Sequence, residues 1–200
     1  MTALSRVALL VLASLPLPAA AEQWRGVGET TLVGFEEQRE NGALVACNIS
    51  FTQVFADDAH RKGATVTAKG VLAMVKPAPQ SFAFVLKMVG EDQGRVASAS
   101  GSPFSPSSAY VSVAGYTSAR RASQKFKCDG PGYCAAYTSN SDMTGLLGVA
   151  LSRSFSAAYQ RRPGTLDTSF LVRLAPETSP ASPVNDRFAD CARSLVGSPD

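Results

Sequence analysis

The sequence predicts a mainly β fold: an antiparallel, sandwich-like domain with one internal helix and a C-terminal amphipathic helix, tied by disulfides. Three observations predict it. Apolar and polar residues alternate through several stretches separated by Gly- and Pro-rich turns. An even set of cysteines, Cys47, Cys128, Cys134 and Cys191, lies downstream of an export-like N-terminus. Only two segments carry helical spacing.

The first 21 residues have the three parts of a signal peptide in order. Met1–Arg6 is positively charged, Val7–Leu15 is apolar apart from Ser14, and Pro16–Ala21 ends in three alanines. Cleavage before Glu22 is expected. The apolar core is about half of the roughly 20 residues that a membrane span needs. No other apolar stretch is long enough to span, so residues 22–200 are expected to form one domain outside the cytoplasm, periplasmic or secreted.

Residues 43–55 alternate, with Val45, Cys47, Ile49, Phe51 and Phe55 on one side and Asn48, Ser50 and Thr52 on the other. They predict a half-buried strand. Residues 57–63 read as a polar turn. Strands over 65–75 and 81–89 follow, joined by Lys76-Pro77-Ala78-Pro79-Gln80. A short strand is expected over 95–100, a Pro/Ser loop over 101–108, and strands over 109–116 and 125–138. Leu146, Leu147, Ala150 and Leu151 place a helix over 142–153, with Ser141 as its cap. Residues 155–160 and 165–174 form a hairpin around Arg161-Arg162-Pro163-Gly164. A Pro-rich connector, 176–183, leads to a helix over 184–196. That helix shows Val184, Phe188, Cys191, Ala192 and Leu195 on one stripe. The sum is seven or eight strands and two helices.

Four cysteines allow three pairings. Cys128 and Cys134 flank the flexible run Asp129-Gly130-Pro131-Gly132-Tyr133, which favours Cys128–Cys134 and leaves Cys47–Cys191. In the chain-entropy model the long bridge stabilises by about 4–5 kcal/mol and the short one by about 2–3 kcal/mol. Zinc is disfavoured because no CxxC pair exists. A redox role is disfavoured because thiol–disulfide catalysts use a tight CxxC at a helix start.

Candidate chemistry is sparse. His60, the only histidine, stands near Asp57 and Asp58, and a solvated turn explains that grouping better than a metal or base site. There is no G-x-S-x-G elbow, and Gly26-Val27-Gly28 lacks the third glycine of a phosphate loop. We therefore assign no catalytic, cofactor or metal residues, and no cofactor. The formal net charge of +3 is too mild for a dedicated nucleic-acid binder. Arg120, Arg121, Lys125 and Lys127, with Phe126 among them, form a basic run, and Arg161-Arg162 adds a pair. Such a run suits contact with an acidic surface, such as phospholipid headgroups, lipopolysaccharide or an acidic partner. A strand edge guarded by charge against aggregation explains the run better.

The second half carries an order of features with a family likeness. Phe126-Lys127-Cys128 precedes a Gly-containing turn and Tyr133-Cys134-Ala135-Ala136. A Leu-rich helix (Met143–Leu151), a strand over Ser169–Leu174 and a final helix with Phe188-Ala189-Asp190-Cys191 follow. This resembles the invasion-associated locus B-type proteins of alphaproteobacteria, chiefly over residues 126–151 and the C-terminal helix. That family tends to carry two cysteines near an N-terminal Trp, whereas here Trp24 is followed only by Cys47. The resemblance implies a periplasmic or surface-exposed, non-enzymatic β-rich domain linked to host-cell colonisation. It implies a protein or envelope-component partner and supplies no catalytic residues.

Overall fold

The computed structural model describes residues 30–57, 64–78, 80–93, 101–119, 124–165, 167–175 and 183–197. The signal-peptide segment, the strand expected over 95–100 and residues 176–182 of the connector lie outside them.

Alternation builds two antiparallel sheets. The larger has the order β1 (Thr30–Glu40), β2 (Ala43–Asp57), β3 (Ala64–Ala78), β4 (Ser81–Asp92), β9 (Tyr133–Tyr137), β8 (Gln124–Lys125). The short β5 (Ser102–Phe104) also pairs with β4. The smaller has the order β11 (Asp167–Arg173), β10 (Ser154–Gln160), β6 (Ser108–Val113), β7 (Tyr116–Thr117). Helix α1 spans Asn140–Leu151 and α2 spans Val184–Gly197. The mainly β, sandwich-like prediction holds.

The details differ in instructive ways. The described residues hold eleven strands, more than expected. The largest omission is β1, an 11-residue strand. Its second half, Glu36-Glu37-Gln38-Arg39-Glu40, is too charged to read as a strand, yet all of it pairs with β2 through a tight turn at Asn41-Gly42. Asn41 and Gly42 both have positive φ, the pairing that a two-residue hairpin turn requires. The loop expected over 101–108 contains β5. The cap of α1 is Ser139 rather than Ser141: its hydroxyl oxygen accepts from the Asp142 N–H and its O–H donates to Asp142 Oδ2 at 2.6 Å.

The inner face of the larger sheet presents Cys47, Ile49, Phe51, Leu72, Phe84 and Leu86 to one continuous core. Opposite stand Phe155 and Tyr159 of β10 and Phe170 and Val172 of β11. The Phe51 ring meets Phe155 edge-on at 5.6 Å and Phe170 at 6.1 Å. Phe51 also lies across the strand from Gly70, where a side chain would collide with its ring. The stripe foreseen on α2 is the buried one: Phe188, Cys191, Ala192 and Leu195 face the sheet, and Phe188 stacks on Phe84 at 6.3 Å. Among the described residues no helix is long and apolar enough to cross a membrane.

Candidate functional site

Both disulfides form as the spacing favours. Cys47 of β2 joins Cys191 of α2 with a Cα separation of 5.9 Å, and both cysteines are buried. Cys128 joins Cys134 at 5.6 Å. No described cysteine is free, so the sulfurs act as architecture.

The short bridge stands beside the predicted basic run. Lys125 belongs to β8, a two-residue strand at the edge of the larger sheet. Its ammonium lies 5.3 Å from the centre of the Tyr133 ring, a cation–π distance. Lys125 and Lys127 are exposed, while Phe126 between them turns the other way and packs against the Cys128–Cys134 bridge. Arg120 and Arg121 lie outside the described residues. A further cation joins the neighbourhood. Lys87 of β4 is the cross-strand partner of Cys134, and its Nζ donates to the Asp129 carbonyl at 3.4 Å. Burial pushes the Lys87 pKa down, and the Asp129 charge partly restores it. Lys87 and the Gly132 N–H, which donates to Ser105 Oγ at 2.8 Å, pin the loop inside the bridge.

Two charges expected at the surface lie elsewhere. Asp57 does not open a solvated turn; it ends β2 and is 3% exposed. Arg161 is not the partner of Arg162 in a surface pair, since Arg162 is exposed and Arg161 turns inward. The Arg161 guanidinium bonds Asp92 Oδ2, lies 3.9 Å from Asp57 Oδ2 and sits 3.9 Å above the centre of the Phe104 ring. Phe104 in turn lies across the strand from Gly90, whose missing side chain makes room for the ring. This stack joins the residue that follows β10 of the smaller sheet to β2, β4 and β5 of the larger. Beside it, burial raises the Tyr159 pKa to about 12, and its hydroxyl lies against Thr168. His60 and Asp58 lie outside the described residues.

The outer face of the larger sheet holds a second buried cluster: Ala46, Ala73, Val75, Ala83, Val85 and Ala136. Val71 and Phe126 pack against it. Asn48 stands in the same face, opposite Glu36 in register and next to Ala73. It is 1% exposed, and neither its Oδ1 nor its Nδ2 has a hydrogen-bond partner. Gln38, opposite Ala46, has a buried Oε1 in the same condition. An unsatisfied buried polar group costs about 1–3 kcal/mol.

The chain matches no family model, no curated protein and no solved structure. The likeness to invasion-associated locus B-type proteins therefore rests on the residues quoted for it above.

Phe84 stacks on Phe188, and Phe170 packs on Phe51 and Phe55. These rings belong to the one continuous core. Sequence reasoning missed the inward role of Arg161, the burial of Asp57 and the outer-face amides. One signal was available for Asn48: it interrupts a stretch in which Ala46, Cys47 and Ile49 are all apolar. A strand that is apolar on successive residues is buried on both faces.

Proposed function

We infer that this chain is a non-catalytic, exported envelope protein whose basic edge binds an acidic envelope or host-facing surface. The observation that carries the reading is the grouping of Lys125 and Lys127, exposed on the edge of the larger sheet, beside a covalently closed and pinned loop. Held cations lose less conformational freedom on binding than cations on a loose loop. Both disulfides suit an oxidising compartment, and the family likeness supports a place in the envelope.

Co-sedimentation of the disulfide-bonded protein with vesicles tests this. Binding to phosphatidylglycerol vesicles, but not to phosphatidylcholine vesicles, is expected. It should weaken as salt rises and be lost in a Lys125→Glu, Lys127→Glu double variant. If the double variant folds and binds as wild type does, the two lysines only guard the strand edge.

A further inference from the structure

We propose that the outer face of the smaller sheet holds a stacking platform for one ring of a neutral saccharide, built on Tyr110. The face belongs to the other sheet from Lys125, so the failure of either reading leaves the other standing.

Alternation along β6, β10 and β11 sends Val111, Ala157 and Phe170 into the core and turns Tyr110, Ala158 and Ser169 outward. These last three form one row across the sheet, since Tyr110 opposes Ala158 and Ala158 opposes Ser169. The Tyr110 hydroxyl donates to Asp167 Oδ2 at 2.5 Å. Asp167 stands on β11, with β10 in between. Neighbouring strands lie about 4.8 Å apart, so β6 and β11 are separated by roughly 9.6 Å. A tyrosine makes that reach only by lying along the sheet, over β10. Burial agrees with this. Ala158 points outward yet is 1% exposed, because the ring covers its methyl group. Tyr110 itself is half-buried, with one ring face on Ala158 and the other towards solvent.

A flat ring with one open face, fixed at its far end by a hydrogen bond, suits stacking by the C–H face of a sugar ring. A sugar also carries a rim of hydroxyl groups, each both donor and acceptor, which need polar partners beside the platform. Asp167 and Ser169 are exposed on β11, and the half-buried Ser156 and Gln160 flank Ala158 on β10. They supply carboxylate, hydroxyl and amide groups. The charge beside the ring selects among flat ligands. Asp167 is an anion and opposes a nucleotide phosphate or an acidic sugar. Arg173, on the same face of β11, lies four residues beyond Ser169, about 13 Å along the strand. A proline-rich segment docks in a groove lined by several aromatic rings, whereas this row offers one.

The test titrates cellohexaose, maltohexaose and chitohexaose, all neutral, into the disulfide-bonded protein labelled at its tyrosine rings. At least one sugar should shift the Tyr110 ring resonances saturably, and saturation transfer from the protein should reach its C–H protons. Tyr110→Ala should bind that sugar about tenfold more weakly. Tyr110→Phe keeps the ring but releases it from Asp167, so it should lose only about threefold. If Tyr110→Ala does not fold, Ser169→Arg carries the same comparison, because it crowds the ring from an exposed position. Unmoved Tyr110 resonances with all three sugars, or equal binding by wild type and the folded variant, would overturn the proposal. So would a proline-rich peptide that shifts the Tyr110 ring where no sugar does.

Discussion

The two ends of the larger sheet are closed in different ways. At one end Cys47 of β2 is bonded to Cys191, and α2 lies over the sheet with Phe188 on Phe84. At the other end, ten residues along the same strand, Asp57 and Asp92 meet Arg161, which follows β10 of the smaller sheet. One closure is covalent and apolar; the other is ionic and rests on an aromatic ring. The covalent closure acts mainly by restricting the unfolded chain, so its contribution does not depend on the fit of neighbouring side chains. The ionic closure offsets the cost of burying charge through paired charges, so removing one charge leaves its neighbours less well compensated. The same sandwich is thus tolerant at one end and sensitive to single substitutions at the other.

Breaking each closure in turn measures that difference. The largest effect is expected for Cys47→Ser with Cys191→Ser, a loss of about 4–5 kcal/mol in chemical denaturation. Cys128→Ser with Cys134→Ser should lose only about 2–3 kcal/mol. Equal losses from the two double variants would mean that loop length does not govern the bridges here. Next comes Arg161→Ala, which removes the guanidinium that Asp57 and Asp92 share. Its cost should be about 3 kcal/mol, at the low end for a buried pair because Arg161 and Asp92 keep some exposure. A loss under about 1 kcal/mol would place the cluster with ordinary surface pairs.

A smaller effect probes the ring beneath the guanidinium. Gly90→Ala drives a methyl group into the Phe104 ring and should cost about 1–3 kcal/mol. Adding Phe104→Leu should recover part of that loss, and a double-mutant cycle reads the coupling. Strict additivity would show that Gly90 and Phe104 do not interact.

The smallest effect concerns pH and belongs to the ionic end alone. Burial raises the Tyr159 pKa to about 12 from its ordinary 10, so the folded protein favours the neutral phenol. That contribution is complete below pH 10 and is lost as pH rises from 10 towards 12. Tyr159→Phe should therefore flatten the alkaline fall in stability. Part of the fall should persist, because burial and Asp167 raise Tyr110 to about 12 as well. An unchanged alkaline limb in the variant would argue that the phenol is not buried in solution.

The covalent end was legible in the sequence, and the ionic end was not. Strand alternation placed Cys47 on an inner face, helical spacing placed Cys191 on a buried stripe, and pairing by elimination joined them. These are local patterns, and one residue type announces the bond. Nothing local marks Arg161. Its partner Asp92 is 69 positions away, and in sequence it reads as half of an exposed arginine pair. Asp57 reads as turn because its neighbours 58–63 are polar, although β2 carries it into the core. β1 was illegible for a related reason. A strand at a sheet edge needs only one apolar face, and Val33 and Phe35 supply it amid four charges. The buried outer-face amide was legible only as the anomaly of Asn48 among apolar neighbours; its loss of partners is a property of the assembled sheet.

The nested order of the cysteines has a consequence for how the chain matures. Cys47 pairs with Cys191 and encloses the pair formed by Cys128 and Cys134. Thiols joined in the order in which they emerge would instead link Cys47 to Cys128 and strand Cys134 with Cys191. Reaching the native pairs then requires either that Cys47 stay reduced until the last helix arrives, or that an exchange partner resolve the early mistake. Once the outer pair closes, both its sulfurs are shielded from attacking thiolates. Oxidation of this chain works as a ratchet: errors can be edited while α2 is away, and its docking withdraws the means of editing.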